Sequence, residues 1–81
     1  MPRIRRPNLP RPLYRHLVDR VHQREISTTQ LREILLWLET EPVAPEGSWF
    51  KRFPDVIVCG RGELILTFLR RDQAPLGEEM Q

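Results

Sequence analysis

An α+β fold, with a helical hairpin followed by a small antiparallel sheet of two or three strands, is predicted for this 81-residue chain by three observations. Apolar residues recur at helical spacing in two runs, Leu13 to Val21 and Leu31 to Leu38, separated by a short connection. From Trp49 to Leu69 the pattern changes to short runs of aromatic and β-branched residues. Between two of those runs, Gly60-Arg61-Gly62 supplies the flexible backbone that a tight hairpin turn requires.

The elements follow in order. Residues 1–10 contain Pro2, Pro7 and Pro10 and no periodicity, so they read as a basic, flexible arm that contributes nothing to a core. Pro12 is welcome in the first turn of a helix, where its missing N–H would have had no partner. Leu13, Tyr14, Leu17, Val18 and Val21 then form one apolar stripe on a helix running to about Arg24. Ser27 and Gln30 have the spacing of a capping box, and Ile26 and Leu31 that of a hydrophobic staple, so a second helix starts at Thr28 and runs to about Thr40. Its apolar face, Leu31, Ile34, Leu35 and Leu38, is widened by Leu36 and Trp37, which implies cover on more than one side. Pro42 and Pro45 end it.

Strands are expected at Trp49–Phe53, Asp55–Cys59 and Glu63–Leu69. Val56 to Cys59 and Leu64 to Leu66 are apolar on both faces, and two short helices do not readily cover both sides of a sheet. A homodimer is one way to cover the second. The single domain therefore spans residues 11–72, and 73–81 reads as a loose tail. Its size allows one modest core, burying about 60% of the surface the unfolded chain exposes. Composition agrees, with 40% apolar and 30% charged residues.

Cys59 is the only cysteine, so no intramolecular disulfide or cysteine-based zinc site can form, as suits a reducing cytoplasm. No apolar run approaches a membrane span, and no secretory h-region follows the N-terminal arginines. A cytoplasmic protein without a membrane partner is expected.

Charge is unevenly distributed. Residues 1–24 carry seven arginines against Asp19, a net of +6, whereas the remainder carries six basic residues against ten acids, a net of −4. The planar guanidinium fork suits phosphate or carboxylate pairing better than the lysine ammonium does. Arg3, Arg5, Arg6 and Arg11 are thus candidates for neutralising phosphates, with Arg61 at the hairpin tip and Arg70 and Arg71 after the last strand extending the surface.

Catalysis has little to work with. His16 and His22 point to different faces of a helix and cannot share a metal. Cys59 lies in an apolar strand with no base placed beside it, and Gly60-Arg61-Gly62 joins two strands, whereas a nucleotide-binding loop joins a strand to a helix. No catalytic residue, metal site or cofactor is assigned. Residues 25–35 superficially resemble the turn and second helix of helix-turn-helix proteins, which would set Thr28, Thr29, Gln30 and Arg32 towards DNA, but Leu36 and Trp37 make that helix too apolar for a typical recognition helix.

Trp49-Phe-Lys-Arg-Phe, Cys59-Gly-Arg-Gly-Glu, Thr67-Phe-Leu and Gln73-Ala-Pro-Leu-Gly resemble a pattern in short uncharacterised bacterial proteins. The order of two helices then antiparallel strands is similar to the later part of RelE/ParE-type toxins, although a first strand is lacking and no catalytic residue carries over. Three functional readings result. The first is a small, non-catalytic bacterial interaction module that engages nucleic acid through its arginine-rich arm. The second, implied by the toxin resemblance, is a ribonuclease or its inactive relative using sheet arginines. The third is a protein-binding adaptor that docks a partner through the apolar hairpin and Trp37.

Overall fold

Extended Pro10 and the ring of Pro12 start α1 (Arg11–His22), which has no side-chain N-cap and no acid in its first turn. It stops at Arg24, whose left-handed backbone (φ 61°) closes a Schellman motif: Glu25 N–H donates to Arg20 C=O and Arg24 N–H to Val21 C=O. In α2 (Thr28–Glu39), Ser27 Oγ accepts from Gln30 N–H, the cap that the sequence predicts. Pro42 cannot donate a hydrogen bond, so α2 ends on Glu41, also left-handed (φ 49°), with its N–H on Leu38 C=O. The computed structural model describes residues 2–5 and 9–81.

Four strands follow: β1 (Ser48–Arg52), β2 (Val56–Arg61), β3 (Leu64–Arg70) and β4 (Glu78–Glu79), in sheet order β3-β2-β1-β4. The expected α+β order is therefore present, with one more strand than the sequence implied. The first three strands are antiparallel, while β4 pairs parallel to β1 through Trp49↔Glu78 and Phe50↔Glu79. Gly60 and Arg61 belong to β2. The turn itself is Gly62–Glu63, with Gly62 at φ 57° in the first of its two places. A side chain at Gly60 would collide with the Trp49 indole and with the Leu64 carbonyl, so the glycine there allows Trp49 to lie across β2.

Ile4, Leu17, Ile26, Ile34, Leu38, Trp49, Val58, Ile65 and Phe68 belong to one buried cluster between the helices and the sheet. Trp37, whose presence widened the apolar face of α2, stacks edge-to-face on Trp49 (6.1 Å) and Phe53 (5.8 Å). Leu36 stays exposed.

Both chain ends depart from expectation. Residues 2–5 add to the fold: Ile4 is 0% exposed, Arg3 bridges to Val43, Ile4 N–H donates to Pro42 C=O, and Ala44 N–H donates to Pro2 C=O. The idea that nothing in residues 1–10 reaches a core is thereby corrected. One apolar residue among prolines carries no periodicity, so no pattern marked it. The tail 73–81 supplies β4, and Met80 N–H donates to Phe50 C=O at 2.7 Å.

This tail also bears on the second sheet face. Paired residues share a face, so Phe50, Cys59 and Thr67, with Ile57 and Leu69, point away from the helices. Ile57 and Phe50 are nonetheless only 1% and 8% exposed. β3 ends beside the start of β2, whereas β4 begins beside the start of β1, at the opposite corner of the sheet. With strands about 4.8 Å apart and a reach of about 3.3–3.6 Å per residue, residues 71–77 must cut diagonally over the sheet. The helices occupy one face, which leaves this one. Arg52 adds its guanidinium over the Phe50 ring at 5.3 Å.

Candidate nucleic-acid interface

The seven arginines singled out in the sequence divide into groups. Arg3 Nη1 donates to the Glu41 carbonyl (3.2 Å) and Arg5 Nε pairs with the Glu41 carboxylate (3.2 Å), so both arm residues are engaged beside the C-terminus of α2. Arg6 lies outside the described residues. Arg11 opens α1 and is exposed, and makes no ion pair within the described residues. Arg61 is next to the hairpin turn, opposite Leu64, while Arg70 is opposite Val56 at the far end of β3. Arg61 is therefore separated from Arg70 and Arg71 by the length of the strand, about 20 Å at 3.3 Å per residue. The tip and the strand end do not form one surface.

The fold adds arginines that sequence reasoning passed over. On α1, Arg11, Arg15, His16 and Asp19 line one shallow hollow on the solvent side, where Arg15, like Arg11, has no carboxylate partner among the described residues. At the other end of that helix, Arg20 turns towards the sheet and donates through Nη2 to the Phe68 carbonyl at 3.1 Å. Its Nε lies 3.9 Å from Glu25, and the other oxygen of Glu25 is 3.8 Å from Arg70 Nη2. Arg71 borders the same hollow. Arg24 lies in an adjoining hollow that shares Glu25 and Asp55 with the first. Helical spacing could have signalled Arg15, four residues after Arg11; joining Arg20 to Arg70 required the tertiary fold.

Of the residues that a helix-turn-helix would set towards DNA, Thr28, Thr29 and Arg32 are exposed and Gln30 is not. Gln30 is buried and its Oε1 accepts from Asp55 N–H at 3.0 Å, while Ile34 and Leu38 on the same helix enter the core. Gln30 is thus committed to the interior, where it cannot face a base.

His16 and His22 are both exposed, and among the described residues no three His, Cys, Asp or Glu side chains gather as metal ligands. Cys59 is half-buried on the outer sheet face, and burial pushes its thiol pKa up, away from nucleophile chemistry. No described helix is long and apolar enough to cross a membrane. Comparison with family models, curated proteins and solved structures finds no match to this chain.

Proposed function

We propose that the chain is a non-catalytic interaction module that binds the phosphate backbone of nucleic acid through α1 and the adjoining end of β3. The observation that carries this reading is the set of exposed arginines without carboxylate partners, Arg11, Arg15, Arg24 and Arg71, placed along and beside one helix. An arginine at the N-terminus of a helix opposes the macrodipole, so Arg11 contributes nothing favourable there, and a phosphate would relieve that opposition. Each arginine that meets a phosphate releases counterions, which makes binding salt-dependent. The emphasis moves from the arm to the helix, because Arg3 and Arg5 are already engaged with Glu41.

The test is anisotropy of a labelled oligonucleotide over a KCl series. Binding should weaken steeply with salt, and R11A/R15A should lower the slope of log K against log salt by roughly one for each phosphate no longer neutralised. Deleting residues 1–10 is unsuitable, since it would remove Ile4 from the core. An oligonucleotide that does not bind at low salt, or binds R11A/R15A as it binds the parent, rejects the reading.

Leu64 and Leu66, each 54% exposed on β3, favour a second reading as a protein-binding surface. Recovery of a stoichiometric protein partner that survives nuclease treatment and is lost in L64S/L66S would support it.

A further inference from the structure

We propose that the hollow between the end of α1 and the end of β3 seats a phosphodiester of single-stranded nucleic acid, and that Glu25 is its built-in competitor. This inference rests on the nucleic-acid reading and names the ligand group and the control of one part of that surface.

The hollow has a volume of about 340 Å³, and within it Arg20, Arg70 and Arg71 face Glu25, Asp55 and Asp72. Arg20 is fixed in place by its bond to the Phe68 carbonyl, part of the β3 backbone, and its remaining N–H groups stay available. Glu25 reaches towards two guanidiniums, one from α1 and one from β3, a single carboxylate oxygen to each. Distances of 3.9 and 3.8 Å are longer than the ~2.7–2.9 Å of a closed charge-assisted hydrogen bond. The carboxylate therefore sits where an anion belongs without closing on either arginine. A phosphodiester offers two anionic oxygens with wider spacing and brings in Arg71, which has no partner among the described residues.

The three carboxylates decide between anions. They repel a compact dianion, but Asp55 and Asp72 can accept hydrogen bonds from hydroxyl or amino groups. A monoanionic diester flanked by sugar hydroxyls and base amino groups satisfies both halves of the lining, whereas inorganic phosphate satisfies one. In a duplex the base amino groups are turned to the pairing strand, and only an unpaired strand can bring them beside its own phosphate, which selects a single strand.

The experiment follows side-chain Nε–H and backbone NMR signals of the full chain titrated with a ribodinucleotide monophosphate, a ten-nucleotide single-stranded RNA, and inorganic phosphate. Expected are shifts at Arg20, Arg70 and Arg71 with both nucleotide ligands, weaker ones with phosphate, and a two- to fivefold gain in RNA affinity in Glu25→Gln, on the scale of an exposed ion pair. Glu33→Gln, an exposed α2 carboxylate, removes the same charge elsewhere and should gain less. R70A/R71A should abolish the dinucleotide shifts.

RNA that binds with dependence on Arg11 and Arg15 while the hollow stays silent overturns this inference and leaves the wider reading intact. Dinucleotide shifts in the hollow, with RNA binding indifferent to R11A/R15A, uphold the seat and reject the α1 surface. Equal gains in Glu25→Gln and Glu33→Gln remove the competitor role. Should Glu25→Gln prove unstable, the wild-type titration decides the seat by itself.

Discussion

The backbone N–H of Asp55, in the turn between β1 and β2, donates to Oε1 of Gln30, in the first turn of α2, at 3.0 Å. A polar side chain thus holds the helix to the sheet inside an otherwise apolar contact, and Gln30 is buried. The same residue gives its own N–H to Ser27 Oγ.

Replacing Gln30 by Ala leaves a part-buried N–H without its partner and should cost about 1–3 kcal/mol. Ser27→Ala removes the cap and should cost about 1 kcal/mol. Because Gln30→Ala keeps the backbone N–H that Ser27 Oγ caps, the two variants remove different bonds and the double variant should lose about the two losses added. Urea denaturation followed by circular dichroism measures all three.

Arg20 guards an edge. β3 is the outer strand of the sheet, and two of its backbone groups are met by side chains: Phe68 C=O by Arg20 Nη2 and Arg70 N–H by Gln73 Oε1. Unpaired strand edges recruit other strands. R20A/Q73A should therefore lose about 1–3 kcal/mol and show concentration-dependent association beyond that of the parent by sedimentation. An unchanged association state would show that other features protect the edge.

Much of this was legible because local chemistry and tertiary packing agree. Ser27, Pro12 and the apolar stripes placed both helices to within two residues, and the β-branched and apolar runs around Val56 and Leu64, with glycines between them, placed the central hairpin. Gln30 misled in part: its spacing suggested a return to the Ser27 backbone, but its side chain spans 25 residues to Asp55. Ile4 and β4 were illegible for a common reason. Each is a short segment whose stability comes from pairing with a distant strand or loop, and a partner at long range leaves no period in the sequence. The candidate site divides likewise. Arg11 and Arg15 share a helix and could be read together, whereas Arg20 and Arg70 meet only because α1 packs on β3.

Ile4→Ala should destabilise the fold by about 2–4 kcal/mol, the cost of truncating a fully buried Ile. Ile4→Val should cost about 1 kcal/mol. An Ile4→Ala variant as stable as the parent in chemical denaturation would show that the leader does not dock in solution.

Arg24→Gly should move stability and binding in opposite directions. Removing Cβ from the left-handed cap should gain up to about 1 kcal/mol. Losing the guanidinium should weaken oligonucleotide binding, if Arg24 meets a phosphate, and lower its salt slope by roughly one. Thermal melts and anisotropy on the same preparation read both effects. Tighter or equal binding in the more stable variant would remove Arg24 from the interface.

Cys59 shares the outer sheet face with Phe50 and Thr67, and burial raises its pKa because the thiolate would be poorly solvated there. The thiolate fraction near neutral pH is therefore smaller in the folded chain than in the unfolded one. Iodoacetamide should react more slowly under native conditions than in urea, and the native rate should keep rising with pH after the rate in urea has levelled off. Linkage fixes the sign for stability: folded and unfolded chains both hold the proton below the ordinary thiol pKa, and above it the unfolded chain loses its proton first. This group's share of stability is thus complete at neutral pH and is lost as pH climbs from the ordinary thiol pKa through the raised one. Cys59→Ser should flatten that part of the pH–stability curve, and a curve unchanged by the substitution would assign the alkaline loss to other groups.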